Sequence, residues 1–230
     1  MSRYLALSLA VFVLVDTGWR TFASDDGVMR NRLLPPKAGN PRNSEGDFIQ
    51  LKDGRVLFVY SHFTGGGADG SAAHLAGRFS ADGGKTWTAE DVVILPNEGG
   101  LNVMSVSLLR LQDGRIALFY LRKNSREDCR PCMRLSTDEA KTWSEAAVCI
   151  SDDEVGYYVL NNDRAVQLAS GRIVLPVAMH YSAKIGKRDG AGTVMCYLSD
   201  DNGRTWRRGK DQLVTTTPEG RRVATQEPGV

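Results

Sequence analysis

Ser80-Ala81-Asp82-Gly83-Gly84-Lys85-Thr86-Trp87 returns twice more along the chain, as Ser136-Thr137-Asp138-Glu139-Ala140-Lys141-Thr142-Trp143 and as Ser199-Asp200-Asp201-Asn202-Gly203-Arg204-Thr205-Trp206. The leading serines, at positions 80, 136 and 199, are nearly evenly spaced. A turn motif with an aromatic anchor, recurring at nearly constant spacing, marks a repeat architecture in which each copy is one supersecondary unit.

A second periodic feature interleaves with the first. Ile49 to Tyr60 reads as two alternating strands joined by Asp53-Gly54, a strong hairpin signal. Leu109 to Tyr120 repeats it around Asp113-Gly114, and Val166 to Val177 around Ser170-Gly171. Each unit is then hairpin, loop, third strand, Asp-containing turn and fourth strand. In the first unit the third strand is expected over 73–80 and the fourth over about 86–95. Four antiparallel strands per repeat make one β-propeller blade, so the fold class is all-β. The motif Asp accepts bonds from nearby backbone N–H groups and holds its turn shut. The motif Trp is expected to pack between neighbouring sheets. Ala140 stands where the other copies have Gly, which predicts a slightly distorted turn.

Composition narrows the partners. Twenty-nine Lys and Arg against 27 Asp and Glu leave a net charge of +2 with no basic block, which argues against nucleic acid. At the N-terminus, Arg3 precedes an apolar run from Tyr4 to Val15, and Ala23-Ser24 offers a cleavage site. This reads as a signal peptide over 1–24, followed by a linker over 25–40 and the propeller from 41 to 230. The run is short for a bilayer span, although an uncleaved anchor is the alternative. The expected location is secreted or periplasmic, with no membrane insertion after cleavage. In such a compartment Cys129-Arg-Pro-Cys132 has the means to close a small disulfide loop. Unpaired or structural cysteines, with Cys149 and Cys196 included, are the favoured reading. No metal-ligand spacing is present, and no cofactor is expected.

The Ser-x-Asp-x-Gly-x-Thr-Trp copies resemble the Asp-box (bacterial neuraminidase) repeats of the sialidase family. The resemblance runs from about Pro41 to Val230 and implies a six-bladed propeller. That span supplies three blades and the opening of a fourth. An open array exposes blade faces, so a fragment of a longer protein is expected, with closure by another copy as the alternative. Thr225 to Val230 reads as the start of the next inner strand, and the isolated chain is expected to be aggregation-prone and inactive.

The hairpin turns serve as a ruler for depth. Eight residues before each turn lie Glu45, Ser105 and Asn162, expected at equal heights around the axis, with Glu227 as a fourth member. Nine residues beyond each turn lie His62, Arg122 and Met179. Asn161-Asn162-Asp163-Arg164 places four polar residues at the start of an inner strand. Glu45, His62, Arg122, Asn162, Asp163 and Arg164 are therefore candidate substrate-binding residues. The family resemblance implies sharper roles. Arg42 matches, by position and without the family's Arg-Ile-Pro, the first of three arginines that hold a substrate carboxylate. Asp69, in the Gly-rich loop 65–71, matches the acid/base Asp. Glu227 matches the Glu that activates a Tyr nucleophile in a later blade. His62 and His74 are further candidates for proton transfer or sugar contact. The implied partner is a sialylated or other acidic glycan. Two alternatives stand beside an exo-α-sialidase: a lyase or hydrolase of uronic-acid polysaccharides, and a sugar-binding propeller without turnover.

Overall fold

The computed structural model describes residues 21–23 and 29–230, so the signal-peptide reading of 1–24 falls almost wholly outside the described residues. Within residues 1–33, which form a unit of their own, β1 (Thr21–Ala23) pairs antiparallel with β2 (Met29–Asn31). Residues 34–230 form the second unit. Its start takes in the last part of the expected linker. Asn40 is buried there, and its side-chain amide donates to the carbonyls of Phe63 (3.0 Å) and Arg42 (3.1 Å).

Three blades follow. The first is β3 (Arg42–Gln50), β4 (Val56–Phe63), β5 (Ala73–Ser80) and β6 (Val92–Leu95), paired antiparallel in sequence order. The second is β7 (Asn102–Arg110), β8 (Ile116–Lys123), β9 (Cys129–Ser136) and β10 (Ala147–Val148). The third opens with an inner strand in two pieces, β11 (Gly156–Val159) and β12 (Val166–Gln167). It continues through β13 (Ile173–Ser182), β14 (Lys187–Ser199) and β15 (Arg207–Leu213). One parallel pair, Tyr157 with Cys129, joins the second and third blades into a nine-stranded sheet. The fourth strand of the first blade is shorter than its sequence suggests. Residues 86–91 stay outside it because Thr88 is bonded back onto Phe79, and Asp91 is drawn to Arg78. Residues 225–230 form no strand either; Thr225 N–H instead donates to the Ala191 carbonyl at 2.7 Å.

The core lies between blades, in two layers. Strand β8 shows why: it is buried on both faces. Ile116, Leu118 and Tyr120 pack with Ile49, Leu57, Val59 and Leu75 of the first blade. Ala117, Phe119 and Leu121, pointing the other way, pack with Ile173, Leu175 and Val177 of the third. Full burial of such a side chain is worth about 1.5–3 kcal/mol, so the blade interfaces carry most of the apolar stabilisation. The same alternation separates the cysteines. Cys129 and Cys132 are three apart in β9, so they point to opposite faces and into different layers. The disulfide loop between them does not form; all four cysteines are free. Burial pushes the Cys129 thiol up to about 12 and that of Cys132 up to about 11.

The three motif turns share one bonding pattern. Gly84, Ala140 and Gly203 each donate N–H to the motif serine at 2.8, 2.9 and 2.8 Å. Thr86, Thr142 and Thr205 each donate N–H to the motif aspartate at 2.8, 2.9 and 2.9 Å. The hydroxyls of the same threonines donate to the aspartates as well, and the paired bonds hold the three carboxyls well below the usual carboxylate range, at about 2. Ala140 does not distort its turn; it adopts φ +63°, close to the +89° and +85° of its glycine counterparts. Trp143 and Trp206 pack against the two interblade layers. Trp87 lies against Phe48 and Phe58 on the outer face of the first blade, with ring centroids 5.7 and 6.1 Å away.

Candidate functional site

Each inner strand is interrupted at one level, at the end opposite the motif turns. Glu45 (φ +54°) and Ser105 (φ +60°) mark register shifts in β3 and β7. Asp163 (φ +52°) lies in the turn between β11 and β12. Bulges of this kind unpair backbone groups and re-aim side chains. Gly46 is required beside the first, because a Cβ there would lie 2.5 Å from the Phe58 ring and 2.7 Å from the Val59 carbonyl.

The freed groups stitch neighbouring blades together. Asp47 accepts the Leu108 N–H at 2.7 Å, and its counterpart Ser107 accepts the Arg164 N–H at 2.9 Å. The Asp163 N–H reaches the Val106 carbonyl, and the Asn162 amide reaches that of Gly46. Asn162, Asp163 and Arg164 thus act as interblade connectors, and it is Asn161 that faces the cavity beside them. Burial raises the Asp47 carboxyl to about 6 despite its two backbone donors.

At this level a cavity of about 250 Å³ opens between the three blades. Glu45 and Ser105 enter it from the bulges, Asp69 from the loop between β4 and β5, and Glu227 with Gln226 from the C-terminal segment. Lys123, Tyr157 and His180 complete the wall. Arg42 braces two of these wall residues, with its guanidinium 2.5 Å from Asp69 and 3.2 Å from Glu45, and it lies 4.5 Å over the Phe63 ring. Glu45 also accepts the Ser105 hydroxyl at 3.2 Å. The two carboxylates beside Arg42 are driven apart. Burial raises the Glu45 carboxyl, while the hydrogen bond from Arg42 lowers that of Asp69.

The Gly-rich loop is firmly held. The side-chain amide of Asn102, itself fully buried, donates to the carbonyls of Asp69 and Ser71, both at 2.8 Å. The Lys123 ammonium, also buried, donates to the same Asp69 carbonyl at 2.8 Å. Glu227 is placed indirectly. Asp189 pairs with Arg222 at 2.5 Å, and Thr225 bonds to Ala191, which leads the chain to the cavity wall.

Arg42, Glu45, Asp69 and Glu227 are therefore gathered at one opening, whereas His62 and Arg122 lie elsewhere. Counting nine residues beyond a turn lands on the wrong face. Ten residues beyond gives Phe63, Lys123 and His180, of which the last two line the cavity. Adjacent strand residues face opposite ways, so Arg122 points away beside Cys132 while Lys123 points in. His62 sits 3.3 Å from Asp91 and stacks on His74 at 4.6 Å. His180 occupies a bulge in β13 opposite the unpaired stretch 189–192, and its Nδ1 lies 2.9 Å from the Asp189 carbonyl. Among the described residues, no three His, Cys, Asp or Glu side chains gather to hold a metal, and no helix is long and apolar enough to cross a membrane.

Solved structures share this fold at low identity. A protein of unknown function from Dyadobacter fermentans matches at 19% identity with a TM-score of 0.60, over 76% of this chain and 56% of its own. The Hadza microbial sialidase Hz136 matches at 16% with a TM-score of 0.58, over 85% of this chain and 40% of its own. The Trypanosoma rangeli sialidase in complex with 2,3-difluorosialic acid, a covalent intermediate, matches at 16% with a TM-score of 0.55, over 84% and 33%. The chain thus spans between a third and just over half the length of these structures. No curated protein sequence matches it. The blade order, the repeated turns and these neighbours agree on a sialidase-like β-propeller. Residues 63–217 match the BNR repeat-like domain, and with more than half of its length covered the chain belongs to that family.

Proposed function

We propose that this cavity is part of the active site of an exo-α-sialidase-type glycoside hydrolase that removes terminal sialic acids from glycoconjugates. The observation that carries the reading is the Arg42 guanidinium held between Asp69 and Glu45 at the mouth of a cavity shared by three blades. A guanidinium fork matches a sugar carboxylate with two parallel bonds. To bind one, Arg42 releases Asp69. The Asp69 carboxyl then loses the hydrogen bond that lowers it and becomes able to hold a proton, which it delivers to the leaving oxygen. Glu45 keeps the second arm of Arg42 in place. Glu227 is assigned to raise the nucleophilicity of a tyrosine, as the family resemblance implies. Lys123 adds positive charge near Asp69 and favours the anionic ligand.

The test compares an activated aryl sialoside with sialyllactose. Asp69→Asn is expected to lower kcat/KM on sialyllactose about a hundredfold or more, and much less on the aryl sialoside, whose leaving group needs no proton. Equal loss on both, in a protein that turns both over, counts against the assignment. A second reading is favoured by Tyr157, whose ring lies 5.4 Å from the Lys123 ammonium and shares the cavity with His180. This trio suits proton abstraction beside a carboxylate. Cleavage of uronate polymers with formation of an unsaturated end, and none of sialosides, would establish it instead.

A further inference from the structure

Beyond the first cavity lies a second of about 380 Å³, between the ends of β13 and β14. His180 is a wall of both. Tyr157, from the first, carries the Arg188 guanidinium of the second at 4.8 Å from its ring centre. The two cavities are thus neighbours across His180 and the Tyr157–Arg188 contact.

The two cavities differ in charge. Around the first, Glu45, Asp69 and Glu227 face Arg42 and Lys123. In the second, Lys187, Arg188 and Arg222 face Asp189 alone. Asp189 is already engaged by Arg222. Arg188 meets the Arg126 carbonyl and the Tyr157 ring, and among the described residues neither Arg188 nor Lys187 has a carboxylate within ion-pairing distance. Ile185, 68% exposed, offers an apolar surface at the edge.

We propose that the second cavity receives an anionic group, a carboxylate or a sulfate, on the sugar adjoining the one bound in the first. The inference rests on the sialidase reading of the first cavity and narrows its substrates to glycans with two neighbouring negative charges. A second anion is attracted by Lys187 and Arg188 and repelled by the carboxylates of the first cavity, so the ligand is also oriented.

Calorimetry on the full chain tests this with three ligands: sialyllactose, the same trisaccharide sulfated on galactose, and α2,8-linked disialic acid. The dianionic ligands are expected to bind more tightly than sialyllactose. Lys187→Glu should weaken the dianionic ligands about five- to tenfold, as reversal of one partly exposed charge predicts, and leave sialyllactose unchanged. Lys187→Gln should fall between. Lys187 is exposed, so neither variant disturbs the core. Loss with the sulfated ligand alone or disialic acid alone assigns the cavity to sulfate or carboxylate. Sialyllactose binding without any gain from the second charge overturns the inference and spares the sialidase reading. Lys187-dependent binding of the dianions with no binding of sialyllactose overturns the sialidase reading and leaves only an anion site in the second cavity, and binding of none overturns both.

Discussion

The two ends of the same strands obey opposite rules. At the end that carries the motif turns, three copies make the same bond, from Gly84 to Ser80, Ala140 to Ser136 and Gly203 to Ser199, at 2.8, 2.9 and 2.8 Å. At the other end, equivalent positions hold Glu45, Ser105 and Asp163, or Phe63, Lys123 and His180. Repetition at one end fixes how blades are built and spaced. Divergence at the other end collects unlike side chains around one opening, which is what a binding site for an asymmetric ligand needs.

The widest separation between the ends is expected in titration. The motif aspartates should titrate at about 2 and Asp47 at about 6, read by NMR of the carboxyl carbons against pH. The signs are opposed. The motif aspartates have lowered folded values, so their stabilisation is present above the unfolded value of about 3.9 and is lost as pH falls toward 2. Asp47 has a raised folded value, so its contribution is present in acid and is lost as pH rises through about 6. Stability should then peak between these limits. Asp47 titrating together with the motif aspartates would erase the distinction.

Next in size is Asn102→Ala. It strips the donor from two carbonyls at the cavity end and should cost about 2–3 kcal/mol in urea unfolding. It should also speed amide exchange in 64–72 while Thr86, Thr142 and Thr205 stay protected. Gly203→Ala should cost about 2 kcal/mol, since its Cβ would meet the buried Met133 methyl at 2.3 Å. Gly84→Ala meets no such neighbour and should cost about 1 kcal/mol, from its positive φ alone. Ala140→Gly relieves the same strain and should gain about 0.5 kcal/mol. Equal effects at Gly84 and Gly203 would mean that Met133 yields freely, and that the turns are alike in energy as well as in bonding.

The same contrast explains what was legible in the sequence. Asp53-Gly54 and Asp82 to Trp87 are local chemistry, so their hairpins and turns could be read directly, and β5 falls where expected. Of the residues singled out in the sequence, Glu45, Asp69 and Glu227 line one cavity, and Arg42 pairs with the first two. Lys123 and His180 escaped because the ruler was read nine residues beyond each turn, and an offset of one residue exchanges the faces. The polar run 161–164 is expected at the start of an inner strand, and it forms instead the break between that strand's two pieces. Which of its members faced the cavity depended on bonds to Gly46 and Val106 in other blades, and no local pattern records those.

Asn102 and Lys123 belong to the second blade, yet both grip the carbonyl of Asp69 in the first. The Gly-rich loop therefore has no settled geometry until two consecutive repeats have docked. The placement of the Asp69 loop is thus a property of the seam between the two repeats. A lone repeat, however well folded, would lack both donors and leave that carboxylate in a wandering loop.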